Sequence, residues 1–214
     1  MNGSSFNLML LVAGMAFLPM LAVSVTAFTK FSVVVMILRN ALGIQQLPPN
    51  IVVYSISVLL SAYIALPMLS DIYHKVDTAN LSYKTMSDYT EAADIASAPL
   101  KGFLSKHADA KQVAFFLQST RKIWPEETGL KATEKDLTIL IPAFLLTQLT
   151  QAFEIGFLLY LPFLAIDIVV TAILVALGMM MVPPSSISIP FKLMLFVFVD
   201  GWSKLVQGLI LTYT

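Results

Sequence analysis

An all-helical (all-α) membrane-complex protein is the fold class this sequence predicts, and three features lead there. Apolar residues make up 57% of the chain and charged residues only 12%, an excess no soluble core of this length can hide, so lipid or a large interface must cover part of the surface. The apolar residues gather in runs at 6–38, 51–70, 137–182 and 187–211, lengths that fit four or five helical spans. Charge is confined: residues 71–136 carry nine of the thirteen Lys and Arg and ten of the thirteen Asp and Glu. That stretch reads as a solvated region between two apolar halves, with domains expected at 1–75, 76–136 and 137–214.

Taken in order, the first apolar run begins at Phe6 behind Met1 to Ser5, which hold no Lys or Arg, so no cleavable signal peptide is expected. The run suits one tilted span or a broken hairpin, with a kink at Pro19. From Arg39 and Asn40 to Asn50 the chain reads as a hairpin turn, because Pro48 and Pro49 stop one helix and set up the next. Lys30 and Arg39 are the only charges near that turn, which places it in the cytoplasm and the 71–136 region in the periplasm. Within that region Val113, Phe116, Leu117, Thr120 and Trp124 recur at helical spacing, with Lys111, Arg121 and Lys122 on the other side. Thr133-Glu134-Lys135-Asp136 matches a capping box, so a helix is expected to start there, with Pro142 and Pro162 bending or dividing it. Whether 137–182 is one bent hairpin or two spans stays open.

The clearest local motif is Gly178-Met179-Met180-Met181-Val182-Pro183-Pro184. Adjacent side chains on a helix fan out by about 100°, so three thioethers share a target only where the backbone leaves helical geometry. Two readings are open: ordinary packing, or a deformable ring built from several subunits that closes a pore yet yields to varied peptides. Lys30, Glu154, Asp167, Lys192, Asp200 and Lys204 are ionisable residues inside apolar runs and need partners, water or an interface. The i, i+4 spacing of Asp200 and Lys204 favours an ion pair on one helix. Glu154 and Asp167 either pair structurally or line a wet pathway or pair with another subunit, and Gln148, Asp200 and Lys204 join them as candidate inter-subunit or pathway residues. Aromatic residues Phe144, Phe153, Phe157, Tyr160 and Phe163, with Trp202 and Tyr213 further on, suit packing or an interfacial belt.

Enzyme chemistry finds no support. There is no cysteine for disulfides or thiolate ligands. His74 and His107 lack metal-binding neighbours and read as two surface histidines. No phosphate loop, nucleophile elbow or dinucleotide fingerprint occurs, so no cofactor is expected. Zero net charge offers no field to draw nucleic acid.

Longer blocks resemble a known family. They are Phe31-Ser32-Val33-Val34-Val35-Met36-Ile37-Leu38-Arg39-Asn40-Ala41-Leu42-Gly43 with Gln45-Gln46-Leu47-Pro48-Pro49-Asn50, then Ile141-Pro142-Ala143-Phe144 and Ala152-Phe153-Glu154-Ile155-Gly156-Phe157. Leu161-Pro162-Phe163, Ile166-Asp167, Ala176-Leu177-Gly178-Met179-Met180-Met181, Ile189-Pro190-Phe191-Lys192-Leu193 and Asp200-Gly201-Trp202 continue the series. Together they resemble the FliP/SctR proteins of type III secretion and flagellar export gates, over both apolar halves; residues 76–132 contribute little. The short N-terminus looks more like the injectisome branch.

The resemblance implies a homopentamer of long kinked helical hairpins with a small helical periplasmic domain, in the bacterial inner membrane within the secretion-system basal body. It also implies SctS-like and SctT-like subunits completing a pore, SctU-like and SctV-like export components beside it, and unfolded substrate proteins passing through. Met179, Met180 and Met181 would be the gasket, energy would come from other subunits, and the apparent spans need not cross lipid. Where the family has Ser-Glu-Leu-Lys ahead of Ala-Phe, this chain has Thr147-Gln148-Leu149-Thr150-Gln151, so an acid and a base are missing and Gln148 stands at the acid's place. Two alternatives remain: a small-solute or ion transporter using Glu154, Asp167 and helices broken at Pro142 and Pro162, and a scaffold whose methionines only pack.

Overall fold

A computed structural model describes residues 20, 22–44, 47–79, 86–124 and 132–214. The expected kink at Pro19 and the Met1 to Ser5 leader lie outside the described residues. Those described form α1 (Phe28–Ala41), α2 (Asn50–Thr78), α3 (Met86–His107), α4 (Ala110–Ile123), α5 (Leu137–Ala176), α6 (Pro184–Phe198) and α7 (Gly201–Leu211), with no strand among them. They divide into two compact units: the residues up to Thr29 with Ala65–Gln148, and Lys30–Ile64 with Leu149–Thr214.

The first unit is organised around Leu104, Leu140 and Phe144, all fully buried, with Leu100, Phe103, Val113, Leu137 and Ile141 packed against them. Leu100, Phe103 and Leu104 share one face of α3 by their i, i+3, i+4 spacing, as Leu140 and Phe144 do on α5. Each such side chain taken from water stabilises by about 1.5–3 kcal/mol. On α4 the residues expected inside, Val113, Phe116, Leu117, Thr120 and Trp124, are partly buried, as are Gln112 and Ser119, and Lys111 and Lys122 face out. The Asp109 carboxylate starts that helix by accepting the Lys111 N–H at 2.7 Å. His107 is half-buried, its ring 4.8 Å from that of Phe103, and so is not the surface residue expected.

The capping-box expectation needs correction by one turn. The helix begins at Leu137, not Thr133, and the Asp136 carboxylate reaches back to accept the Thr133 N–H at 2.7 Å. The acid therefore closes the turn before the helix, and Ile139 and Leu140 donate their N–H groups to its carbonyl.

In the second unit, Phe31, Val34, Val35 and Leu38 are buried along one stripe of α1. Helix α5 comes close enough that a Cβ on Gly156 would collide with the Ile37 side chain. Neither Pro142 nor Pro162 divides α5, which runs unbroken for 40 residues, so the segment is one helix rather than a hairpin or two spans. A proline costs about 3 kcal/mol in a helix interior, but unravelling a turn in apolar surroundings would strand several backbone groups at more than that. At about 1.5 Å per residue the helix has roughly twice the length a bilayer core needs.

The last run breaks where continuity was expected. Helices α6 and α7 meet at 63°, with Asp200 in the left-handed region at φ 52° and the Phe196 ring packed between those of Phe163 and Trp202. Among the described residues two helices, α2 and α5, are long and apolar enough to cross a membrane, or three segments if α6 and α7 act as one; the start of the 6–38 run, which the four or five expected spans included, lies outside the described residues.

Candidate functional site

Helix α5 ends in a cap that sets the direction of the chain beyond it. The Gly178 N–H bonds to the Val175 carbonyl at 3.0 Å and the Met179 N–H to the Leu174 carbonyl at 2.9 Å, with Gly178 at φ +72°. This is a Schellman cap, which needs a residue without a Cβ penalty at the left-handed position. Pro183 and Pro184 then open α6, Pro183 at its N-cap. Between the two helix ends Met179, Met180 and Met181 leave helical geometry and stand 43%, 82% and 97% exposed. Three apolar side chains are thus held in the open by backbone devices alone.

A few residues along α6, polarity is reversed. Lys192 is only 4% exposed, and its ammonium pairs with the Asp167 carboxylate of α5 at 2.6 Å and with the Ala41 carbonyl at the end of α1 at 3.0 Å. A single cation thereby ties three helices, satisfying the last carbonyl of one of them. Asp167 is the structural partner that the sequence left undecided. Beside the pair lies a cavity of about 540 Å³ lined by Asn40, Tyr160, Thr171, Ser185 and Ser188 among others.

Lys30 is buried with no carboxylate partner among the described residues: its Nζ donates to the Thr212 hydroxyl at 3.1 Å and lies 4.0 Å over the Tyr213 ring. Arg39 bridges the connector, donating to the Asn50 side-chain carbonyl at 2.6 Å and toward the Pro48 carbonyl at 3.4 Å. The connector holds a cis Leu47-Pro48 bond and Gly43 at φ +78° against Ile189; Asn40 and Pro49 are exposed on it.

The ion pair expected between Asp200 and Lys204 does not form. Asp200 precedes α7 in a left-handed conformation that turns its carboxylate onto the Ser203 hydroxyl at 2.9 Å; the ion pairs among the described residues are Lys75 with Asp71 and Lys192 with Asp167. Glu154 is exposed on α5 and joins neither pair. Gln148 is buried in the first unit and donates to the His107 carbonyl at the end of α3 at 3.3 Å, while the neighbouring Thr147 hydroxyl accepts the Asp109 N–H at 2.9 Å. These two side chains join α5 to the α3–α4 turn, a role that no spacing rule in the sequence signals.

A helical, membrane-capable protein that encloses Lys192 against a carboxylate while presenting a capped methionine loop is the class these features define. The chain belongs to the FliP family, whose model matches residues 11–209. It is similar to the probable translocation protein y4yL of Sinorhizobium fredii, 47% identical over 214 residues that cover 100% of this chain and 96% of that protein. The Yop proteins translocation protein R of Yersinia pestis is 42% identical over 207 residues, 97% of this chain and 95% of its own. Virulence protein YscR of Salmonella typhimurium is 43% identical over 203 residues, 94% of this chain and 93% of its own.

Proposed function

We propose that the chain is a core subunit of a bacterial type III secretion export gate, assembling as a homopentamer whose pore passes unfolded proteins and is closed at rest by Met179, Met180 and Met181. Relatives named for translocation and secretion supply the process. The observation that carries the site is the loop itself. Apolar side chains held in the open by a Schellman cap and a proline pair, Met180 and Met181 almost wholly so, suit a partner surface, and a ring of copies supplies one. Thioethers deform around dissimilar peptides and still exclude hydrated ions when the peptide leaves.

In this reading the exposed apolar faces of α2 and α5 meet SctS-like and SctT-like subunits or lipid of the inner membrane, the 76–136 region faces the periplasm, and SctU-like and SctV-like components supply energy and selection. Against the transporter alternative, α5 is unbroken at Pro142 and Pro162 and Asp167 is paired with Lys192, so of the features that reading would use Glu154 is what is left. Native mass spectrometry of the detergent-purified chain, alone and with the small subunits, tests the assembly. A five-copy ring that takes up those subunits is expected; a monomer or dimer that ignores them overturns the proposal.

A further inference from the structure

We propose that Met180 and Met181 are a reversible oxidation site, where a peroxide or hypohalous acid converts the thioethers to sulfoxides and loosens the seal; the effect on the seal rests on the pore reading above. Three observations converge. These two side chains stand almost fully in the open. The chain has eleven methionines and no cysteine, so no thiol within it competes for the oxidant, and reaction falls on the most accessible thioethers. Space is open at the base of the loop too, where a Cβ on Gly178 would meet nothing within 4 Å, and an oxygen added to side chains this exposed disturbs no core.

The step balances. A sulfur lone pair attacks one oxygen of hydrogen peroxide, the S–O bond forms as the O–O bond breaks, and after proton transfer water leaves. Sulfur is oxidised by two electrons and the peroxide is reduced by two. The product is polar and accepts hydrogen bonds, so a ring that excluded hydrated ions by being apolar would become wettable. Sulfoxide reductases, with electrons from an external thiol, reverse it.

The test treats the purified assembly with hydrogen peroxide, follows each methionine by peptide mass spectrometry, and measures ion leak after reconstitution into vesicles. Met180 and Met181 should oxidise roughly tenfold faster than the half-buried Met36 and Met68. Leak should rise with their oxidation, fall after reductase treatment, and stay flat in the Met179→Leu, Met180→Leu, Met181→Leu variant. Equal rates at all four methionines, or a peroxide leak that persists in the leucine variant, would overturn the inference. Met180→Ser with Met181→Ser, measured without oxidant, separates the two readings. If that variant leaks and the oxidised protein does not, the oxidation inference alone falls; if neither leaks, the seal falls with it.

Discussion

The methionine loop and the Lys192 site sit on consecutive segments of the second unit and invert the usual rule of burial in opposite senses. At one, apolar side chains are held in the open; at the other, an ammonium is enclosed and matched to a carboxylate and a carbonyl. Enclosed charge must be satisfied within the chain because nothing else reaches it. Apolar surface exposed among the described residues marks a place that another surface can cover. The Lys192 site joins three helices of the subunit, and in the proposed function the methionine loop is covered by neighbouring copies.

Breaking the enclosed pair should have the largest effect. Lys192→Ala leaves the Asp167 carboxylate and the Ala41 carbonyl without their donor and should cost about 3 kcal/mol, the lower end for a buried pair because Asp167 is partly open to solvent. Thermal unfolding in detergent reads it, and Lys192→Met with Asp167→Leu should recover most of the loss. Next comes the α1–α5 contact that frames both sites: Gly156→Val has no room beside Ile37 and should cost about 1–3 kcal/mol in the same assay. Met181→Ser should change the stability of the subunit by less than about 0.5 kcal/mol while changing the leak of the assembly, which sharpens the contrast between structural and functional residues.

The smallest expected effect lies in the other unit. The Thr133 N–H holds the Asp136 carboxyl below the usual carboxylate range, so its contribution is present above the unfolded pKa and lost as pH falls through the lower folded value. The stability gap between the parent chain and Asp136→Asn should therefore be present at neutral pH and close in acid, as unfolding curves at the two pH values would show.

Helical class, the amphipathic face of α4 and the loop geometry at Met179 to Met181 were legible, because periodicity, Gly and Pro are local signals. The continuity of α5 was not, since proline penalties are local while the cost of unsatisfied backbone in apolar surroundings depends on what surrounds the helix. Helix α3 carried a readable stripe in Leu100, Phe103, Leu104 and His107, hidden by the Pro99 within it. The pairing of Asp200 with Lys204 failed because the spacing rule holds only inside a helix, and Asp200 lies just outside one. Lys192 found a partner 25 residues away and another 151 away, distances at which spacing in the sequence carries no information.

The most direct test of the seal is the ionic conductance of the assembly reconstituted in a planar bilayer, comparing the parent chain with Met179→Gly, Met180→Gly, Met181→Gly and with the corresponding leucine variant. A closed parent, a conducting glycine variant and a closed leucine variant are expected, since leucine keeps the apolar bulk that glycine removes. A glycine variant that assembles fully and stays as closed as the parent would contradict the account.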